Sequence, residues 1–175
     1  PCDDEVEGEL RAKACSCLMK FMWASRLSRP DLHRAIIRLT TRITKWTRND
    51  DKRLKRLAEY LNGTAESHQL KCFTCDEPED IELWLFVDAD FAGDRPSFKS
   101  TSGHILFMAG SNTCFPLTAQ SKKQTCVSHS TPEAEIVSAN TAVRTAGLPA
   151  QDLWDLVFGR KVSLDFLEDD DAAIT

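Results

Sequence analysis

The spacing of the apolar residues changes along this 175-residue chain between residues 64 and 82. Before that stretch, apolar residues recur every three or four positions, which is the period of an amphipathic helix. After it, short apolar runs alternate with turn residues, as they do in strands and hairpins. We therefore expect a small helical segment over residues 1–64, a polar junction over 65–82, and a mixed α/β (α+β) domain over 83–175.

The helical segment is expected to contain three helices, over about residues 10–26, 31–47 and 50–62. Pro30 separates the first two helices, because proline disfavours helical dihedrals in the residue before it and suits the first turn of a helix. Gly63 follows the third helix as a C-terminal cap.

The second domain is expected to begin with a hairpin, which helices and a further strand follow. The predicted strands are 84–87, 103–109, 113–119 and 162–167, and the predicted helices are 131–146 and 149–158. Pro116 favours an edge position for the third strand, because proline cannot donate a ladder hydrogen bond. Four tryptophans are expected to be core residues: Trp23, Trp46, Trp84 and Trp154.

The formal net charge of −5 hides a strong asymmetry. Between Arg26 and Arg56 there are eleven Lys or Arg residues against Asp31, Asp50 and Asp51. Four of the basic residues are predicted to share one face of the second helix: Arg34, Arg38, Arg42 and Lys45. Two interpretations stay open for this face, a nucleic-acid-binding surface with salt-dependent affinity and an ordinary solvated helix face.

The composition argues against membrane-spanning and secreted proteins. No apolar run approaches the ~20 residues that span a bilayer. The N-terminus does not begin with Met, which suggests a fragment or a processed chain, and it lacks the features of a signal peptide. Seven cysteines, an odd number, favour reduced thiols in an intracellular protein. Cys72 and Cys75 have CxxC spacing, but no suitable second pair completes a zinc site, so buried small side chains are the preferred interpretation.

Three acidic residues each follow or lie within a predicted strand or helix near its end: Asp88, Glu135 and Asp169. Carboxylates placed in this way can converge on one edge of a sheet. Carboxylate oxygens are the ligands that Mg²⁺ prefers, and two such ions can clamp both the attacking and the leaving oxygen of a phosphodiester. The acids therefore predict metal-dependent chemistry on nucleic acid.

Short motifs around these acids resemble the RNase H region of copia-type retrotransposon polyproteins. In chain order they are DADFAGD (88–94), KSTSGH (99–104), SKKQ (121–124), STPEAEI (130–136) and EDDDAAI (168–174). Upstream, 28–32 and 56–64 resemble the segment that connects reverse transcriptase to RNase H in that family. The resemblance implies an RNase H-like mixed sheet with flanking helices, preceded by the helical connection segment.

The resemblance also implies a function, hydrolysis of the RNA strand of an RNA–DNA hybrid by two-metal-ion catalysis. Asp88, Glu135 and Asp169 would be the catalytic, metal-binding carboxylates for Mg²⁺ or Mn²⁺, with Asp90 and Glu133 as the neighbours most easily mistaken for them. The expected phosphate contacts are Ser100, Thr101, Ser102, Lys122 and Lys123. The polymerase part of the same polyprotein would be a further partner. No membrane or small-molecule partner is expected, and the compartment would be the cytoplasm, a virus-like particle or the nucleus.

Several alternatives stay open. The family's fold continues past its third acid and supplies a fourth, whereas this sequence ends at Thr175, so an incomplete RNase H domain is expected. A non-catalytic remnant or docking module is therefore the alternative, and a helix-mediated protein-binding surface is a third possibility. The triplet of Ser128, His129 and Ser130 does not favour a nucleophile and base, because neighbouring residues on a strand point to opposite faces.

Overall fold

A computed structural model describes residues 3–66 and 73–168. The chain divides into two compact units, Pro1–Leu70 and Lys71–Thr175. The division falls within the predicted junction at 65–82. We refer to the two parts as the helical unit and the sheet unit.

The helical unit contains α1 (Arg11–Ser28), α2 (His33–Thr40) and α3 (Arg48–Gly63). A 3-10 turn at Pro30–Leu32 lies between α1 and α2, as the proline signal indicates. The core of the unit is formed by apolar side chains from all three helices and from the segment before α3. They are Ala14, Leu18, Leu32, Ile36, Leu39, Trp46, Leu54 and Leu57.

The prediction of one helix over residues 31–47 is wrong, because α2 ends at Thr40. The hydroxyl of Thr40 donates to the main-chain oxygen of Ile37 at 2.7 Å, and the hydroxyl of Thr41 donates to that of Arg38 at 2.9 Å. Such side-chain bonds compete with helix continuation. The chain then forms a 3-10 turn at Ile43–Lys45.

Helix α3 begins at Arg48, two residues before the predicted start at residue 50, and a capping box precedes it. The side chain of Thr47 and the side chain of Asp50 each accept a hydrogen bond from the other residue's main-chain N–H, which satisfies two donors at the helix start. Asp50 is fully buried and also accepts from Arg42 at 2.6 Å and from Arg53 at 3.1 Å. A single carboxylate therefore ties the segment after α2 to the first turns of α3.

The sheet unit contains one four-stranded mixed sheet and two helices. Its strands are β1 (Glu82–Asp94), β2 (Lys99–Gly110), β3 (Thr113–Lys123) and β4 (Leu164–Leu167), in the spatial order β3-β2-β1-β4. The first three strands are antiparallel neighbours, and β4 runs parallel to β1. Helices α4 (Thr131–Ala142) and α5 (Leu148–Phe158) are joined by a π-helical turn at Val143–Gly147. This architecture confirms the expected fold class and is consistent with an RNase H-like α+β fold.

Side chains alternate strictly along β1. Leu83, Leu85, Val87 and Ala89 are buried, and the first three pack in a core with Ala142 of α4. The intervening side chains of β1, from Glu82 to Asp90, lie on the opposite side of the sheet. We call that side the open face. The alternation fixes which residues reach the helices and which reach solvent.

The position of Pro116 matches its sequence signal. Pro116 lies on β3, which is an edge strand as predicted, and the β2–β3 register is interrupted beside it, between Leu106 and Phe107.

Gly147 lies where the helical layer approaches the sheet. A Cβ there would come within 3.0 Å of Leu164 and 3.1 Å of Leu85, closer than nearly all real contacts.

The tryptophan prediction is only partly correct. Trp46 is buried and Trp154 packs against the sheet-unit core. Trp23 is 71% exposed. Trp84 is 38% exposed, because it occupies an outward position between two buried leucines of β1.

Within the described parts of the chain, no helix combines the length and apolar character that crossing a membrane requires.

Candidate active site

Asp88 lies in the middle of β1, and its prediction as a strand-end residue is wrong. The strand continues through Asp94 because β2 keeps pairing with it, as in the pairs Asp88–Gly103 and Asp90–Thr101. The register becomes irregular only between Asp90 and Asp94. Since side chains alternate along a strand, Asp90 shares the open face with Asp88.

The open face brings predicted acids and predicted phosphate contacts together. Directly opposed residues of antiparallel strands lie on the same face and are close neighbours. Two such rows cross β1, β2 and β3: Asp88–Gly103–Ser121 and Asp90–Thr101–Lys123. A carboxylate, a hydroxyl and an ammonium group therefore occupy one row, and the exposed carboxylate of Asp88 occupies the next.

Gly103 leaves space beside Asp88. A Cβ at Gly103 would meet only the main-chain oxygens of Asp88 at 3.7 Å and Gln120 at 4.0 Å. Because residue 103 has no side chain, β2 leaves open space next to the carboxylate of Asp88. Asp88 is accessible to a ligand above the open face.

Asp90 is held differently from Asp88. A Cβ at Gly93 would lie 1.7 Å from Oδ2 of Asp90, so only glycine allows this carboxylate to rest against the chain. The next residue back, Ala92, has a left-handed φ of 50°, which is unusual for a residue with a side chain. The DADFAGD motif therefore encodes a local bend as well as two acids.

Only one of the three predicted hydroxyl contacts points to the open face. Ser100 is fully buried, and its Oγ accepts from the main-chain N–H of Ala92 at 3.1 Å. Ser102 is also buried, and its Oγ accepts from Nε2 of Gln124 at 3.0 Å. Thr101, between them, lies in the row of Asp90. The two serines support the sheet from within, and Thr101 is the one of the three hydroxyl groups that shares the open face with Asp90.

The predicted lysines lie at the end of β3, and both are exposed. Lys123 forms an ion pair with Asp94, whose carboxylate also accepts from the hydroxyl of Ser97. These bonds, that from Lys123 first, hold the pKa of Asp94 below its ordinary value. Lys122 is opposite Ser102 in the register. The two lysines place positive charge at the end of β3, and Lys123 belongs to the row that contains Asp90 and Thr101.

The two glutamates near the start of α4, Glu133 and Glu135, have different surroundings. Ser130 caps the helix by accepting from the main-chain N–H of Glu133 at 3.3 Å. The carboxylate of Glu133 is exposed and accepts from the main-chain N–H of His129 at 2.7 Å. Glu135 is only 3% exposed. Glu133 therefore serves the helix terminus, as acids in a first turn commonly do, and Glu135 is the acid directed into the domain.

Two polar residues that sequence reasoning did not single out position α4. The hydroxyl of Ser138 donates to the main-chain oxygen of Asp88 at 2.9 Å. Nε2 of Gln124 donates to the main-chain oxygen of Ala134 at 2.9 Å as well as to Ser102. Because Ser138 is three residues after Glu135, both lie on the sheet-facing side of the helix. A periodic signal was present for Ser138, which is spaced at four residues from the alanines at 134 and 142.

The structure brings Asp88 and Glu135 to the same junction of strand and helix, but from different sides. Helix α4 covers the buried face of the sheet, and the carboxylate of Asp88 leaves β1 on the open face. Asp169 lies outside the described residues. The last described pair of the parallel ladder is Phe86–Leu167, and Asp88 and Asp169 each follow two residues later in the sequence. Within 3–66 and 73–168, no group of three or more His, Cys, Asp or Glu residues could hold a metal ion.

The remaining sequence candidates have other surroundings. Cys72 lies outside the described residues, and Cys75 is exposed, so the expectation of a buried thiol there is wrong. Ser128 is buried and donates to Oε1 of Gln124 at 3.2 Å. Ser130 is the cap of α4. These contacts give the Ser128–His129–Ser130 triplet a structural role.

The basic face predicted on the second helix is not continuous. Arg34 and Arg38 are exposed on α2, whereas Arg42 and Lys45 follow the end of that helix. The guanidinium of Arg42 is bound to buried Asp50, whose hydrogen bond raises the pKa of Arg42. These residues therefore do not form the single helical stripe that their spacing predicted.

Comparison with known proteins identifies relatives for about two thirds of the chain. It is 34% and 35% identical over 116 residues to retrovirus-related Pol polyproteins from the transposons RE1 and RE2 of Arabidopsis thaliana, which covers 66% of the chain. It is 31% identical over 124 residues, 71% of the chain, to that of the Nicotiana tabacum transposon TNT 1-94. No protein-family model and no solved structure matches. The aligned region spans 7–9% of the length of these relatives. The chain is thus related to a segment of the retrovirus-related Pol polyproteins of plant transposons.

Proposed function

We propose that the sheet unit is the RNase H region of a copia-type retrotransposon polyprotein and hydrolyses the RNA strand of RNA–DNA hybrids. The observation that carries this proposal is the pair of adjoining rows on the open face. They place exposed Asp88 beside Asp90, Thr101 and Lys123 on one accessible surface. Similarity to retrovirus-related Pol polyproteins supports the same assignment.

The residues of this surface suit recognition of a backbone. A hybrid is recognised by its shape, phosphates and 2′-hydroxyls more than by its sequence. Thr101 offers a hydroxyl, and Lys122 and Lys123 offer charge, and such groups commonly contact phosphates. We assign Ser100 and Ser102 to the support of the surface, since both are buried. Arg34 and Lys45 of the helical unit are candidates for a salt-dependent contribution to affinity.

The proposed metal ligands are Asp88, Glu135 and Asp169. Their carboxylate oxygens are hard donors and fit Mg²⁺, with Mn²⁺ as a substitute. When bound, the ions would activate a water molecule and stabilise the leaving oxygen. The role of this chain is to hold the carboxylates: Ser138 fixes α4 to the main chain at Asp88, and the cap at Ser130 fixes the helix start. Equal sequence spacing from the pair Phe86–Leu167 supports the inclusion of Asp169.

Cleavage of a fluorescently labelled RNA–DNA hybrid by the full chain tests this proposal, with Mg²⁺ and then Mn²⁺. Asp88→Asn and Glu135→Gln should each reduce cleavage at least about a hundredfold, since each removes a proposed metal ligand. Glu82→Gln is the matched control, because Glu82 is an exposed acid on the same face of β1. Its activity should stay at the unmodified level.

The alternative is a non-catalytic module that only docks on nucleic acid or on the polymerase part of a polyprotein. No cleavage by the unmodified chain, with hybrid binding retained in a gel-shift assay, would overturn the enzymatic proposal in favour of this module. Equal cleavage by Asp88→Asn and the unmodified chain would also contradict the assigned site.

A further inference from the structure

A groove of about 480 Å³ lies between α2 and α3 of the helical unit. Its floor is apolar, since Leu32, Leu39 and Leu57 line it and are also core residues. Ala35 is exposed on the wall formed by α2. A small residue at this position leaves room for the side chain of a bound molecule.

Four arginines line the groove: Arg38, Arg42, Arg53 and Arg56. Buried Asp50 binds two of them, Arg42 at 2.6 Å and Arg53 at 3.1 Å. Arg38 and Arg56 are exposed, and within the described part of the chain neither forms an ion pair with a carboxylate. These two guanidinium groups can meet an acidic partner without breaking an existing ion pair.

Asp31, the acidic residue that lines the groove, already forms an ion pair with Arg29. Asp31 accepts from Nε and Nη2 of Arg29 at 3.0 and 2.8 Å, and the hydroxyl of Tyr60 donates to it at 3.2 Å. The hydrogen bond from Arg29 is the leading cause that holds the pKa of Asp31 below its ordinary value. The groove therefore presents a net positive rim above an apolar floor.

The chemistry of the groove favours a peptide over a nucleic acid. Phosphates could pair with the arginines, but the sugars of a backbone would find no polar partner on a floor of leucines. The aromatic ring of Tyr60 is not a free stacking platform, because the guanidinium of Arg29 lies 5.6 Å from its centroid. An amphipathic helix satisfies both parts of the surface, since it can set apolar side chains in a groove and acids against its rim.

We propose that the groove between α2 and α3 docks an acidic amphipathic segment of a partner protein. An apolar side chain of that segment lies on the floor beside Ala35, and its carboxylates bind Arg38 and Arg56. This interaction is separate from the proposed nuclease activity, which belongs to the sheet unit. Charge complementarity and the apolar floor select this occupant.

The test uses the full chain and a fluorescein-labelled helical peptide of leucine and glutamate, in which leucines form one face and glutamates flank it. Fluorescence anisotropy should show binding that weakens about tenfold or more in the double variant Arg38→Glu/Arg56→Glu. Ala35→Trp should weaken binding similarly, because it fills the groove and leaves the charge unchanged. The double variant Lys13→Glu/Lys20→Glu changes the net charge equally at exposed positions of α1 and should bind normally.

Circular dichroism of each variant should show an unchanged helical signal, which separates a lost contact from a lost fold. A peptide with glutamine in place of glutamate should bind at least about tenfold more weakly. The proposal is overturned if no peptide binding occurs, if the groove variants bind normally, or if an RNA–DNA hybrid displaces the peptide from the groove. Sedimentation that shows self-association lost in Arg38→Glu would identify a second copy as the occupant and would also overturn it.

Discussion

Ser138 joins the helix that carries Glu135 to the strand that carries Asp88. Its hydroxyl donates to the main-chain oxygen of Asp88 at 2.9 Å and lies 3.5 Å from that of Gly103, the residue paired with Asp88. Ser138 is 1% exposed, so no solvent replaces these contacts. One side chain thus sets the position of both proposed catalytic carboxylates that the structure describes.

Replacement of Ser138 by alanine should lower the free energy of unfolding by about 1–2 kcal/mol, the cost of losing a buried hydrogen bond. Hybrid cleavage should fall further than the folded fraction does, because α4 loses its tie to the strand of Asp88. Urea denaturation and cleavage rates measure the two effects. Thr145→Ala is the control, since Thr145 makes a similar hydroxyl contact to the main chain but is exposed; an equal effect of both variants would contradict this role for Ser138.

Gln124 should be the most sensitive residue of the SKKQ motif in stability measurements. Its amide donates to Ser102 and to Ala134, and its Oε1 accepts from Ser128 at 3.2 Å. Gln124→Ala leaves these buried groups without partners, and we expect a loss of about 2–3 kcal/mol. Gln120→Ala, at an exposed position of β3, should change the urea midpoint little. Similar midpoints for the two variants would show that Gln124 does not clamp α4.

Asp50 should dominate the stability of the helical unit. Asp50→Asn keeps the shape of the side chain but removes the charge that binds Arg42 and Arg53. We expect a loss of about 2–3 kcal/mol, below the usual cost of breaking a buried pair because both arginines are partly exposed. Denaturation followed by circular dichroism measures it, with the exposed residue Glu59 changed to Gln as control. An Asp50→Asn chain as stable as that control would contradict this account.

His33 should make folding weaker in mild acid. Burial, and then the charge of Arg26, lower its pKa below the ordinary value. The unfolded chain therefore binds more protons, so this contribution to stability is complete above the unfolded pKa of about 6.5 and is lost as the pH falls towards the folded pKa. His104 contributes in the same direction through burial.

The check is the pH dependence of the free energy of unfolding for His33→Gln against the unmodified chain. The slope between about pH 7 and pH 5 should decrease in the variant, by at most about 1.4 kcal/mol per pH unit. A slope that His33→Gln does not alter would show that His33 is protonated equally in both states.

Sequence periodicity predicted most elements of the fold, because burial on one side imposes a regular spacing. It placed the β2–β3 hairpin and both helices of the sheet unit, and the missing N–H of Pro116 predicted the edge position of its strand. Periodicity failed where polar side chains redirect the backbone. Thr40 and Thr41 end α2 through hydrogen bonds that a spacing of apolar residues does not register.

The assignment of Asp88 and Glu135 to the candidate site stays a prediction that rests on motif order. Motif order gave no information on side-chain direction for Ser100 and Ser102, which are buried. The direction of these side chains depends on where β2 begins. Because β2 begins at Lys99, alternation along the strand places Ser100 and Ser102 on the buried face and Thr101 on the open face. The spacing of Ser138 from Ala134 and Ala142 placed it on the buried side of α4 but did not show which group its hydroxyl contacts. Gln124 follows the end of β3, where no alternation indicates the direction of a side chain.

We propose that Glu135, and not its neighbour Glu133, serves the cleavage of RNA–DNA hybrids. The most direct measurement compares the cleavage rates of Glu135→Gln and Glu133→Gln, since both substitutions replace a carboxyl group by an amide in the first turns of the same helix. We predict a loss of at least about a hundredfold for Glu135→Gln and at most about threefold for Glu133→Gln, which affects only a capping contact. Equal losses, or a greater loss for Glu133→Gln, would contradict it.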